Sequence, residues 1–170
     1  MLSFSLELSE RTGMPDTNVK VVAICITPVA GGAMQRVKQV VALAGLGLEG
    51  DRYATGEGSF NRKKGCGHRQ VTLINGIFFP DSGFDYVDSR RNIVVEGVEL
   101  NWLVGRLFRI GNATMHGIKY CDPCERPNTL AGKEHSFKQA FFDRGGIVAA
   151  VVEGGLIIEN DLVIPPPKDY

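Results

Sequence analysis

At 170 residues, with 44% hydrophobic and 22% charged residues, the chain is long enough for one domain whose core needs no disulfide staples. Nineteen basic and nineteen acidic residues cancel, which removes any broad pull toward nucleic acid or a membrane surface and leaves only local basic clusters to bind small anions. No apolar run reaches membrane-spanning length. The N-terminus, Met1 to Leu8, carries Glu7 and lacks the basic start of a signal peptide. The protein is therefore expected in the cytoplasm, where its four cysteines serve as thiols, ligands or nucleophiles.

Residues 1–18 read as a lead-in punctuated by Gly13, Pro15 and Asn18, residues 19–165 as a single domain, and residues 166–170 as a tail after Pro165. The β-branched run Val19 to Ile26 predicts the first strand and buries Cys25 as an inert core thiol. Residues 35–44 alternate as one second strand. Gly45-Leu46-Gly47-Leu48-Glu49-Gly50 has dinucleotide-fingerprint spacing, but no helix follows it, so that reading is rejected. Residues 53–70 form a long irregular loop; with Arg52 it gathers Arg62, Lys63, Lys64, His68 and Arg69, which reads either as a solvated basic loop or as a cradle for an anion.

Further on, strands are predicted at 70–74, 90–98, 106–111 and 113–119, the last two joined by a Gly111-Asn112 turn. Trp102 is expected to anchor the core. Phe137, Ala140 and Phe141 share one face of a helix over 135–144, stopped by Gly145. Three closing strands follow at 147–153, 156–159 and 162–164. About nine short strands with one or two short helices predict a mostly β protein folded as a barrel.

The chemistry is expected at Tyr120-Cys121-Asp122-Pro123-Cys124-Glu125-Arg126. Cys-x-x-Cys in a reducing compartment has three chemical readings. A redox dithiol usually sits at a helix start in an α/β fold, a setting absent here. A zinc site would take its other half from Cys66 and His68, at tighter spacing than usual. The third reading is a single thiolate acting as nucleophile, sulfur acceptor or soft-metal ligand, favoured by nearby positive charge such as Arg126. The bland alternative is a turn with two half-buried cysteines. His116 and His135 read as structural, and Arg144-Gly145-Gly146 reads equally as an anion-facing turn or a helix cap.

Several segments, in this order, resemble the MOSC domain family, named for the C-terminal domain of molybdenum cofactor sulfurases: Gly47 to Ala54, His68 to Ile74, Arg90 to Val98, Leu103-Val104-Gly105, Ile110-Gly111, Cys121 to Cys124, Arg144-Gly145-Gly146 and Val151 to Gly155. The resemblance spans about residues 19–164 and is closest to small stand-alone bacterial members. It implies a β-barrel and a pterin-based molybdenum cofactor. It also implies a functional cysteine, carried onto Cys124, that ligates molybdenum in members reducing N-hydroxylated compounds. Cofactor-binding roles fall on Arg52, Arg69, Asn92 and Arg144, with His68 and Arg126 added from the basic loop and the cysteine motif. Electrons would come from a separate reductase. The alternatives are a sulfur carrier holding a persulfide on Cys124 for a donor or acceptor protein, and a zinc-stabilised binding module. At this length the chain has no room for the pyridoxal-phosphate domain of the long sulfurases.

Overall fold

The β-branched run that opens the domain forms β1, Lys20–Ile26. Val21 and Ala23 to Cys25 are buried along it, so both of its faces are apolar. A computed structural model describes residues 18–59, 61 and 69–168. The remaining strands are β2 Gln35–Val37, β3 Gln39–Leu43, β4 Gly47–Leu48, β5 Val71–Asn75, β6 Ile93–Glu96, β7 Leu107–Ile110, β8 Ala113–Tyr120, β9 Ile147–Glu153, β10 Gly155–Ile158 and β11 Val163–Ile164. Two short helices, α1 Arg126–Ala131 and α2 Phe137–Ala140, lie between β8 and β9.

The fold is mostly strands, as expected, but the strand order does not close into the expected barrel. Eight strands form one open sheet, β11-β7-β8-β9-β5-β6-β1-β2, and three form another, β10-β3-β4. A lone bridge, Lys20 to Leu162, ties the approach to β11 back to β1. The predicted strand over 35–44 is in fact two: the chain leaves one sheet at Lys38 and enters the other, with β2 on β1 and β3 on β10. The alternation slips by one residue at the break: Val37 and then Val40 and Ala42 face the larger core, with Lys38 and Gln39 both exposed between them.

β5 and β6 run parallel, paired from Leu73–Ile93 to Asn75–Val95. Parallel strands need a crossover, and residues 76–92 supply it through 3-10 turns at Gly76–Phe78 and Tyr86–Ser89. Alternate residues of β1, β5 and β6 feed two cores. Val21, Ile24, Leu73, Ile93 and Val95 face the larger one with Leu48, Met115 and Ile157. Ala23, Ile74 and Val94 face an aromatic one built from Phe79, Phe84, Phe137 and Phe141. Phe137 and Phe141 stack with centroids 4.4 Å apart, and Phe84 meets Phe137 edge-on at 5.2 Å. Trp102 packs partly buried against the larger core, with the Arg106 guanidinium 4.9 Å from its ring centroid.

The helix expected over 135–144 shrinks to α2. Ser136 caps it, its Oγ accepting from the Gln139 N–H at 3.1 Å, and Asp143 already has φ +57°. The turn that α2 lacks is made by α1, directly after the cysteine motif. Pro127 sits in its first turn, where a missing N–H costs nothing, and Gly132 ends it in the left-handed conformation. Among the described residues no helix is long and apolar enough to cross a membrane.

Gly146 joins this helical segment to β9 with φ +89°, and a Cβ there would collide with the carbonyl oxygen of Leu73 on β5. Gly146→Ala combines a strained φ with overpacking against backbone and is expected to cost roughly 3 kcal/mol. Thermal denaturation should show the midpoint falling by roughly 6–12 °C. Gly105→Ala, at φ +78° with nothing within 4 Å of the new Cβ, carries the backbone strain alone and should lose about a third as much.

Candidate functional site

β8 delivers Lys119 and Tyr120 to the edge of a cavity and hands the chain to Cys121. From there the walls are built by segments far apart in sequence. The cavity has a volume of about 290 Å³ and is lined by Gly31, Arg52, Tyr53, Ser59, Arg69, Arg90, Arg91, Lys119, Tyr120, Cys121, Asp122, Cys124, Arg126 and Pro127. Among the described residues, five arginines and a lysine face one acid, Asp122. That composition suits an anion.

The floor is a buried ion pair. Asp51 is fully buried; its Oδ1 accepts from the Thr27 N–H and from Arg52 Nη1, both at 3.1 Å, and its Oδ2 accepts from the Tyr53 N–H. Arg52 Nη2 donates to the Tyr53 hydroxyl at 3.1 Å and to the Arg90 carbonyl at 3.2 Å. Its guanidinium also lies 4.2 Å from the Tyr53 ring centroid. Arg52 thus borders the cavity with both terminal nitrogens already engaged.

Arg90 and Arg91 stand at the end of the β5–β6 crossover. Arg91 works as a strap: Nε donates to Gly145 O at 2.8 Å, Nη1 to Ser89 O at 3.2 Å and Nη2 to Cys121 O at 3.4 Å. Arg90 adopts φ +61°, which turns its side chain away from the β6 direction. Its Nη1 donates to Gly32 O at 2.7 Å, while Nη2 is buried with no hydrogen-bond partner among the described residues. The residue is only 8% exposed. Burial first, then the neighbouring Arg52 and Arg126 charges, push its guanidinium down to about 10. An uncompensated buried cation costs stability that an incoming anion would return.

Of the residues selected from sequence, Arg52, Arg69, Arg126 and Cys124 meet around this cavity. Arg126 Nη2 reaches Ser59 Oγ at 3.3 Å across its mouth. Asn92 does not reach it: its Oδ1 accepts from the Thr72 N–H and Oγ, and its Nδ2 donates to Cys25 O, so the amide cross-ties β1, β5 and β6. Arg144 lies elsewhere, exposed, 4.6 Å from the Phe78 ring centroid. Cys66 and His68 fall outside the described residues. Among the described residues, no group of three or more His, Cys, Asp or Glu side chains converges as a metal site. His135 packs at a tilt against Phe84, ring centroids 4.7 Å apart, with Nε2 3.2 Å from Gly83 O.

Sequence reasoning missed Arg90 and Arg91 as individual site residues. Their signal is the tandem itself: two guanidiniums just ahead of the apolar run Ile93-Val94-Val95 cannot both reach bulk water. The three described cysteines are free. Cys25 is fully buried, and burial pushes its thiol up to about 11. Cys121 is buried at the cavity wall and Cys124 is exposed at its rim.

A MOSC domain profile matches residues 75–164, more than half of the chain. This protein belongs to the MOSC domain family. Solved structures agree on the fold. The YuaD protein from Bacillus subtilis superposes with a TM-score of 0.69 at 16% identity, over 85% of this chain and 93% of that one. YiiM from Geobacillus stearothermophilus gives 0.63 at 11% identity, over 88% and 75%. YiiM from Escherichia coli gives 0.58 at 16%, over 88% and 71%. A search of curated proteins returned no match.

Asp51→Asn removes the charge that compensates Arg52 and is expected to cost roughly 3–5 kcal/mol, read as a lower urea midpoint. In the native protein, iodoacetamide should alkylate Cys124 within minutes and leave Cys25 untouched until denaturant is added; peptide mapping distinguishes the sites.

Proposed function

We propose that the cavity binds a phosphate-bearing, pterin-based molybdenum cofactor, and that the protein is a reductase of N-hydroxylated compounds. The observation that carries this reading is the Arg90 nitrogen, buried without a partner among the described residues in a wall of cations. A guanidinium with Nη1 satisfied by Gly32 and Nη2 buried without a partner among the described residues would gain from a phosphate oxygen brought to it. The residues fit the group in charge and in donor softness. Arg90, Arg69 and Arg126 would hold its anionic part, Arg52 and Asp51 would fix Arg90 in place, and Cys124 would offer the soft thiolate that molybdenum prefers.

When bound, such a cofactor supplies the two-electron redox chemistry. Balance then requires that an N–OH compound take up two electrons and two protons and leave as the N–H compound and water. The chain's own share is binding and orientation. Arg91 holds the cysteine loop against Gly145, and Tyr120, 57% exposed, stands at the cavity edge where a substrate would approach. The electrons would come from a separate reductase. A cytoplasmic location accords with this chemistry and with the free cysteines.

The exposure of Cys124 also supports a second reading, a sulfur carrier with a persulfide at that position. Protein made in a host that synthesises the cofactor should carry molybdenum near one per chain by elemental analysis. Cys124→Ala should lose both the metal and N-hydroxylamine reduction; retained activity would sink the proposal. Cyanide-releasable sulfur without molybdenum would turn the reading to the carrier. Inorganic pyrophosphate should raise the melting temperature of the wild-type protein, and Arg90→Gln should weaken its binding by roughly 10- to 100-fold, the worth of a charge-assisted contact of about 1.5–3 kcal/mol.

A further inference from the structure

The cysteine motif contains a second thiol that neither cofactor binding nor sulfur carriage uses. Cys121 is 4% exposed, yet it borders the same cavity as Cys124. The loop between them is tied down at both ends. On one side the Cys121 N–H donates to Gly146 O at 2.9 Å, and Arg91 holds the Cys121 carbonyl. On the other, Glu125 precedes α1 and its Oε1 accepts from the Ser136 hydroxyl at 2.6 Å, while Asn128 Oδ1 accepts from the Phe137 N–H at 3.1 Å. Between the two cysteines lie only Asp122 and Pro123, and the proline ring removes one backbone freedom. Two cysteines that line one cavity, three positions apart on a short anchored turn, with one exposed and one shielded, are arranged for sequential oxidation.

We propose that Cys121 and Cys124 form a reversible disulfide, with Cys124 the thiol that meets the oxidant and Cys121 the thiol that resolves it. Hydrogen peroxide oxidises the exposed Cys124 thiol: the S–O bond forms, the peroxide O–O bond breaks, and water leaves as the thiol becomes a sulfenic acid. The Cys121 sulfur then attacks the Cys124 sulfur, the S–S bond forms, the S–O bond breaks, and a second water leaves. The thiol pair loses two electrons and two protons, and the peroxide is reduced to water. A dithiol reductant reverses the exchange. Oxidation takes Cys124 out of service as a ligand or sulfur acceptor and also protects it from irreversible oxidation to sulfinic acid. The readout is the S–S bond itself, so the proposal stands or falls independently of the cofactor reading.

The test uses the full wild-type chain, fully reduced, freed of reductant and treated with equimolar hydrogen peroxide. Remaining thiols are alkylated, and peptides are mapped by mass spectrometry without reduction. The expected product is a peptide with Cys121 linked to Cys124, lighter by two hydrogens and returned to two alkylatable thiols by dithiothreitol. Linkage of Cys124 to Cys66, a dimer through Cys124, conversion of Cys124 to sulfinic acid with Cys121 left as a thiol, or two unoxidised thiols would each overturn it. A second measurement compares dimedone labelling of the Cys124 sulfenic acid. Cys121→Ser should raise it several-fold because nothing resolves the intermediate, and equal labelling in the two proteins would count against the proposal.

Discussion

The buried pair Asp51–Arg52 is the interaction on which the cavity depends. Withdrawing both charges from water costs several kcal/mol per ion, and the fold offsets that cost by satisfying nearly every lone pair and proton of the two side chains. Thr27 and Tyr53 give Asp51 their N–H groups; the Tyr53 hydroxyl and the Arg90 carbonyl accept from Arg52. The bond to the Arg90 carbonyl is the link that matters beyond stability. It fixes the backbone of a residue in the left-handed region and so determines where the Arg90 guanidinium points. A charge pair with no place in the proposed chemistry therefore sets the geometry of the group that has one.

Three arginines close together in sequence or space have been given three different tasks. Arg52 neutralises a carboxylate, Arg91 satisfies backbone carbonyls that a tight turn would leave stranded, and Arg90 is left with an open donor. Guanidinium suits all three because its planar fork stays charged and offers several N–H groups in fixed directions. A lysine at position 91 could not reach Gly145, Ser89 and Cys121 at once. The cysteine loop and the glycine segment before β9 would then lose their common clamp.

Much of the strand pattern was legible because its cause is local. β1, β5 and the β7–β8 hairpin announce themselves through β-branched runs and the Gly111-Asn112 turn, at which Gly111 does take a positive φ of 54°. The break at Lys38 shows only as a one-residue slip in the alternation, Lys38 and Gln39 lying exposed between core-facing Val37 and Val40, too slight a signal to separate two strands in one dimension. α1 was hidden by Pro127, a breaker within a helix but an acceptable first-turn residue. The cysteine motif and its neighbour Arg126 could be picked out by residue type. Asn92 could not be sorted that way: an amide that cross-ties three strands and an amide that binds a ligand look the same in one dimension. Arg90 posed the opposite problem: the Arg90-Arg91 tandem signals that a guanidinium is buried, but not which of the two keeps an unpaired donor.

The parallel pairing of β5 with β6 has a kinetic consequence. The crossover that permits it ends in Arg90 and Arg91, so neither guanidinium reaches its station until that long-range pairing is made. The cavity also draws on Gly31, Arg52 and the segment around Cys124, on either side of the crossover in sequence. Loop-closure entropy makes such non-local assemblies slow to form. Assembly of the binding wall therefore waits on that long-range pairing, and because its lining runs from Gly31 to Pro127 no short fragment of the chain contains it.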